Sequence, residues 1–423
     1  MRSIGSKPPA KPESNLGDGT FEETYRISVV TPMFGGGVKA GEVDGKHPVR
    51  GTAIRGHLRF WWRATCGRKF SSSQELYHRE SQIWGDTEKA SPVRISVSKH
   101  TSIETKAVDR FKNFGPEQYA LFSAKQNGQE VATEGLSFDL NVSAPDYIDG
   151  YQDIKKTTPI KVSVRDEVLC ALRAWLSFGG IGSRTRRGLG ALHNDGTDLG
   201  EDYLSNCLSD GVFASVLISN PKGGAMAAWR DSVEVYRSFR QGFRGAIHEK
   251  VLNNGKVLHV PGRTFWPEAD AIRDITGCST PKHSEPIVPN VARRSFPRAH
   301  LGLPIIFQFV DGDKNRARSD RDPSPTTIKP SGAERMSSPI ITRPIFVDGS
   351  WRSGLFLLPP PFLRALDLSG KWVSHGRSEE FKDSVETSLE DTKAMNCKPM
   401  GGKNVFDAFM AYAKSQGFQE VSR

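Results

Sequence analysis

Between Tyr25 and Val30, apolar Tyr25, Ile27 and Val29 alternate with Arg26 and Ser28, the two-residue period of a strand with one buried face. Beyond Thr31-Pro32 and three consecutive glycines the period changes. Ile54, Leu58, Trp61 and Thr65 recur at helical spacing, which predicts a helix over 52–66 with Thr52 as its N-cap. The opposite face of that helix carries Arg55, Arg59 and Arg63 at i, i+4 and i+8, so three guanidinium groups align along one side, with Trp62 beside them. Two further alternations predict strands: Val93, Ile95 and Val97 against Arg94 and Ser96, then Leu136, Phe138, Leu140 and Val142 against Ser137, Asp139 and Asn141. A second helix is predicted over 164–178, with Val164, Val168, Leu169, Leu172 and Leu176 on one face and Asp166 and Glu167 in its first turn. It stops at Gly179-Gly180, and residues 189–193 supply one more short strand. Strand, helix, strand, strand, helix, strand is the order of the ferredoxin-like split βαβ motif.

The second half reads as another α+β unit. Strand-like runs occupy 212–219, 303–310, 340–347 and 355–358. Met226, Trp229, Val233 and Tyr236 fit one face of a helix, and residues 404–416 predict a C-terminal helix. A twofold repeat of one fold is the expectation. Two segments rich in Pro, Ser, Gly and charge have no period: residues 1–20, expected to be a disordered tail, and about 311–338, expected to be a mobile, solvated insertion.

Charge changes the picture more than composition does. The 58 Lys and Arg outnumber the 48 Asp and Glu, a net charge of +10, and a positive field of this kind concentrates polyanions. The excess is local. Arg50, Arg55, Arg59, Arg63, Arg68 and Lys69 follow one another within twenty residues that contain no Asp or Glu. No stretch approaches the ~18 apolar residues of a membrane helix, and the first twenty residues lack a signal-type apolar run, so neither membrane insertion nor secretion is expected. Five scattered cysteines, Cys66, Cys170, Cys207, Cys278 and Cys397, form no CxxC pair and read as reduced thiols of a cytoplasmic protein.

The segment from Phe178 to Gly190 packs five glycines and three arginines into a helix-to-strand connection. Gly180 and Gly182 let backbone N–H groups approach a phosphate closely. Ser183 and Thr185 add neutral donors, and Arg184, Arg186 and Arg187 add charged forks. The loop lacks the GxxxxGK of a Walker site, and Thr185 stands where a Rossmann loop needs its third glycine, so no nucleotide cofactor is expected. A second constellation joins Phe34, Gly35, Gly36 and Gly37 to Arg50, Thr52 and the arginine stripe; whether the two glycine loops face one surface is left open by the sequence. Catalytic candidates are isolated: Asp44, His47, His57 and His193. His248-Glu249 opens like a zinc HExxH motif, but Leu252 occupies the second histidine position, and no metal site is expected.

Three stretches, 31–37, 48–64 (PVRGTAIRGHLRFWWRA) and 179–190 (GGIGSRTRRGLG), resemble the RAMP superfamily of CRISPR proteins. The first two are similar to the family that forms the first subunit of the type III-B Cmr effector complex; the third is shared more widely among RAMP proteins. The resemblance implies two tandem ferredoxin-like domains, at 21–205 and 206–423. It further implies a non-catalytic subunit that binds guide RNA toward its 3′ end and the start of the paired target, alongside other RAMP subunits. In such complexes target cleavage belongs to repeated backbone subunits, which use an acid on the loop after their first strand. Asp44 lies in a comparable loop, so the alternative is a metal-independent endoribonuclease using His57 or His47 with Asp44.

Overall fold

The computed structural model describes residues 19–37, 39, 41–111, 115–122, 129–151, 160–196, 199–241, 247–251, 257–261, 266–284, 295–309, 317, 320–374, 377–389 and 401–423. The segment 1–18 and Cys397 lie outside them. The elements that position the site begin with β1 (Thr20–Val29), β2 (Met33–Phe34), α1 (Gly51–Ala64), α2 (Ser73–Trp84), β3 (Arg94–Ser98), β4 (Ser137–Pro145), α3 (Val164–Phe178) and β5 (Leu192–His193). They continue with β6 (Ser215–Pro221), α4 (Ala225–Arg240), β7 (Ile305–Phe307), β8 (Thr326–Pro330), β9 (Ile340–Val347), β10 (Ser350–Leu357), β11 (Ala365–Ser374), β12 (Arg377–Glu386), α5 (Val405–Ser415) and β13 (Gln419–Glu420).

The chain divides into two compact units that interleave in sequence. The described residues of the first fall within 1–27, 49–100 and 137–175; those of the second fall within 28–48, 101–136 and 176–423. Residues 176–205 therefore cluster with the second half, and the expected boundary at 205/206 is not a boundary of these units.

In the first unit, β3 pairs antiparallel with β4, Ile95 opposite Val142 and Val97 opposite Leu140, and β4 lies next to β1. The end of β1 belongs to the second unit, where Ser28 and Val29 pair with His193 and Leu192 of β5. The sheet order is β3–β4–β1–β5. Helix α1 buries Ile54, Leu58, Trp61 and Trp62. Its N-cap is Arg50 and not Thr52, which lies exposed inside the first turn. The earlier start is possible because Gly51 has no side chain: a Cβ there would sit 2.8 Å from the Ile95 carbonyl oxygen. Helix α2 carries a capping signal of its own, Ser72 Oγ accepting from the Glu75 backbone N–H at 3.2 Å.

In the second unit, β9, β10, β6 and β13 form an antiparallel sheet in that order. Asp348 and Gly349 both adopt positive φ, +48° and +70°, in the two-residue turn that joins β9 to β10. Helices α4 and α5 pack on this sheet through Tyr236, Phe239, Phe406 and Phe409, against Leu217 and Leu355. Asn404 caps α5, its side-chain oxygen accepting from the N–H groups of Phe406 and Asp407 at 3.0 Å each. A further sheet runs β7–β8–β11–β12. Strand β8 lies inside the stretch expected to be an aperiodic insertion: Thr326, Ile328 and Pro330 are buried while Thr327 and Lys329 alternate outward. Composition hid a period-two pattern only five residues long.

Candidate nucleic-acid interface

The arginine stripe of α1 exists, but it is not of one sign. Glu80 of α2, buried at 2% exposure, accepts from Arg59 Nε at 2.6 Å and from Arg63 Nε and Nη2 at 2.7 and 2.6 Å. The missing acid comes from a neighbouring helix, which a reading of α1 alone cannot see. Arg55 is tied differently, Nη2 donating to the Val93 carbonyl at 2.8 Å. Three guanidinium groups against one carboxylate leave this face cationic, and Arg63, Arg68 and Lys69 at its end are exposed.

Trp62 is a correction. It is fully buried, and its indole N–H donates to Glu167 Oε2 of α3 at 2.8 Å, so it cannot stack on a base. Glu167 also accepts from buried Arg79 at 2.7 Å and from Lys69 at 3.1 Å. Burial works against its charge, yet Arg79, Lys69 and the Trp62 N–H outweigh it and hold the carboxyl below the usual glutamate range. Trp62, Arg79 and Glu167 thus form the polar centre of the first unit's core.

In the second unit the two glycine-bearing loops meet. Ser183 N–H donates to the Phe34 carbonyl at 2.6 Å, and Gly190 N–H donates to the Pro32 carbonyl at 2.9 Å. Buried Thr31 bridges the loop ends: its hydroxyl donates to the Gly188 carbonyl at 2.6 Å and accepts from the Ala191 N–H at 2.8 Å. The glycines serve this self-contact. A Cβ on Gly182 (φ +77°) would lie 2.6 Å from the Phe34 oxygen, and one on Gly188 would lie 2.5 Å from the Thr342 oxygen. Gly180, also buried, has the Gly190 oxygen at 2.8 Å from where a Cβ would be.

The three arginines of this loop also face the protein. Arg184, itself at φ +61°, donates to the Ala120 carbonyl at 2.8 Å and lies over the Phe34 ring. Arg186 donates to the Ser338 carbonyl, and Arg187 lies 4.8 Å from the Tyr119 ring centroid. Phe34 is 5% exposed beneath Arg184, so it too is a core residue and no base platform. Gly36 and Ser183 are exposed; Gly37 and Thr185 are half-buried, as are Arg50 and Arg55 in the first unit.

Sequence reasoning missed Arg343. It sits on β9, 1% exposed, and donates to the carbonyls of Gly179 at 2.5 Å, Leu192 at 3.0 Å, Pro344 at 3.0 Å and Leu176 at 3.4 Å. Burial pushes its guanidinium down to about 9, still charged at neutral pH. Its charge lies against the C-terminal turn of α3, where the helix dipole favours a cation.

Asp44 accepts from the N–H groups of Lys46 and His47 at 2.9 Å each, the geometry of an Asx turn. His47 is exposed. His57 belongs to the first unit, where it stacks on Trp175 with centroids 6.4 Å apart, and burial lowers its pKa. Among the described residues no group of three His, Cys, Asp or Glu side chains is placed to hold a metal, and no helix is long and apolar enough to cross a membrane. His248 and Glu249 lie on a short strand, without a helix to present them as a zinc pair.

Residues 26–193 match the profile of the RAMP superfamily, and this span runs from β1 to β5 through both glycine loops and the α1 stripe. This segment is similar to the RAMP superfamily. The chain is 30% identical over 154 residues to the CRISPR system Cmr subunit Cmr1-1 of Pyrococcus furiosus, an alignment covering 34% of this chain and 40% of that relative. The aligned part thus spans less than half the length of the curated relative. Over nearly its whole length the chain shares a fold with the crystal structure of apo Cmr1 from Pyrococcus furiosus. The TM-score is 0.51 at 14% identity, covering 95% of this chain and 99% of that one. A looser likeness, TM-score 0.37 at 14% identity over 83% of this chain and 95% of the other, is to a chain in a cryo-EM structure of the type III-B Cmr-beta complex bound to cognate target RNA.

Proposed function

We propose that this chain is a non-catalytic, RNA-binding subunit of a type III-B CRISPR effector complex. In that complex it holds guide RNA toward its 3′ end and the start of the paired target, next to other RAMP subunits. The observation that carries the reading is the cationic face of α1 within the segment that matches the RAMP superfamily, where Arg59 and Arg63 share one carboxylate, Arg55 adds a third guanidinium, and the end of the helix is exposed and basic. A repeated strand order, which we read as two tandem ferredoxin-like folds, supports it. In β1-α1-β3-β4-α3-β5 and in β6-α4-β9-β10-α5-β13 the sheet order is the same: second, third, first, fourth strand. RNA contact is assigned to Arg50, Thr52, Arg55, Arg59 and Arg63, and to Gly36, Gly37 and Ser183 at the loop surface. Arg184, Arg186 and Arg187 hold the loops together.

Gentle purification of the tagged protein from its host tests the assignment: CRISPR-derived small RNA and other RAMP subunits are expected to accompany it, and recovery of the protein alone overturns it. In binding assays with single-stranded RNA, Arg50→Ala combined with Arg63→Ala is expected to flatten the log–log salt slope by about 1.4, at about 0.7 for each lost phosphate contact. Arg184→Ala with Arg186→Ala is expected to leave that slope unchanged. Labelled RNA incubated with pure protein and EDTA is expected to stay intact; specific cleavage that Asp44→Ala and His57→Ala abolish would establish the ribonuclease alternative.

A further inference from the structure

An open groove of about 570 Å³ lies in the first unit, lined by Arg55 and Arg59 of α1, Tyr77 and Trp84 of α2, and the Gly85–Ser91 turn including Asp86 and Lys89. Two donors of its lining have no acceptor among the described residues, the buried Arg55 Nη1 and the indole Nε1 of Trp84, a residue only 2% exposed. An N–H buried without a partner costs ~1–3 kcal/mol, and native proteins satisfy such groups with water or a bound acceptor. Both unpaired groups are donors on residues that line the groove, so an occupant that reaches them has to accept.

The charges around them select its sign. Arg55, Arg59 and Lys89 contribute three cations. Of the acids nearby, Glu80 is bound by Arg59 and Arg63, Asp86 Oδ1 accepts from the N–H groups of Glu88 and Lys89 at 2.9 and 2.8 Å, and Glu88 is exposed outside the groove lining. At the rim Tyr77 is 56% exposed, an uncovered aromatic face of the kind on which unpaired bases stack. The turn is fixed by Gly85 (φ +74°), where a Cβ would meet the Ser91 nitrogen at 2.6 Å and the Lys89 oxygen at 2.7 Å. The groove thus has a built rear wall, an anion-selective lining and a stacking surface.

We infer that this groove seats one unpaired nucleotide of a bound RNA strand. Its phosphate accepts from Arg55, Arg59 and Lys89, a base oxygen or nitrogen accepts from Trp84, and the base lies on Tyr77. The inference rests on the RNA-binding reading and adds a nucleotide-sized subsite to it. The test uses the full chain and a fluorescent 20-nucleotide oligouridylate, followed by anisotropy. Tyr77→Ala is expected to weaken binding roughly 5- to 150-fold, the range of ~1–3 kcal/mol measured for one stacked base. Lys89→Ala, an exposed position, is expected to flatten the salt slope by about 0.7. Crosslinking with 4-thiouridine in the oligomer is expected to label the peptide containing Tyr77 in the unsubstituted protein.

If the unsubstituted chain fails to bind the oligomer, the RNA-binding reading falls first. If it binds, and both variants bind equally well with the same salt slope, the groove assignment alone is overturned. Uridine monophosphate binding as tightly as the oligomer would also overturn it, because the occupant would then be a free nucleotide and not part of a strand.

Discussion

Glu167→Gln is expected to lower the unfolding free energy by about 3–5 kcal/mol, because it leaves buried Arg79 without its counter-charge. Both partners are under 10% exposed, so solvent does not screen the loss. Lys69→Met removes the other cation, which is 56% exposed, and is expected to change stability by only ~0–1 kcal/mol. Urea denaturation of the three proteins checks the pair, and equal midpoints would refute the central role given to Glu167. The same carboxylate sets an acid limit. Its folded pKa is depressed, so its stabilisation is fully present above the unfolded value of about 4.5 and is lost as pH falls through the folded value. The Gln variant is expected to lack this part of the acid transition.

Gly190→Ala is the second large effect. At φ +62° any side chain incurs the left-handed cost of ~1–2 kcal/mol, and here the added carbon would stand 2.1 Å from the Ile181 carbonyl oxygen, a backbone atom unable to swing away. Gly277 provides the matched control, since it has the same φ and nothing within 4 Å of its would-be Cβ. Gly277→Ala is expected to show the conformational cost alone, and Gly190→Ala at least twice that loss or no folded protein. Thermal unfolding of both variants reads the difference; equal melting temperatures would mean that the loop contact does not constrain the fold.

What the sequence revealed and what it concealed differ by physical origin. Periodicity located α1, α3, α4, β1, β3 and β4, because a buried face imprints its period on the chain, whereas β6 and β9, buried on both faces over most of their length, showed as short strand-like runs. Three particulars escaped. The α1 stripe looked unopposed because Glu80 comes from α2, a helix whose own apolar pattern is weak. Trp62 looked like an exposed ring beside arginines, whereas its N–H had a partner in Glu167, 105 residues away. Arg343, an arginine within an apolar strand, gave no hint that its acceptors were four backbone carbonyls. Local periods are written locally; polar pairs across long separations are not. The glycine-rich loop was legible as a special place, but glycine's two uses, approach to a phosphate and approach to its own backbone, leave the same letters in the sequence.

The clamp made by Arg343 also has a consequence in time. The carbonyls of Leu176, Gly179 and Leu192 leave the ribosome about 150 residues before the guanidinium that satisfies them. At ~5–20 residues per second, the end of α3 and the start of β5 wait roughly 8–30 s for their donor. During synthesis the first half is therefore a chain with a hydrated, unfinished seam, exposed to chaperones and proteases until the strand from Ile340 to Val347 arrives to close it.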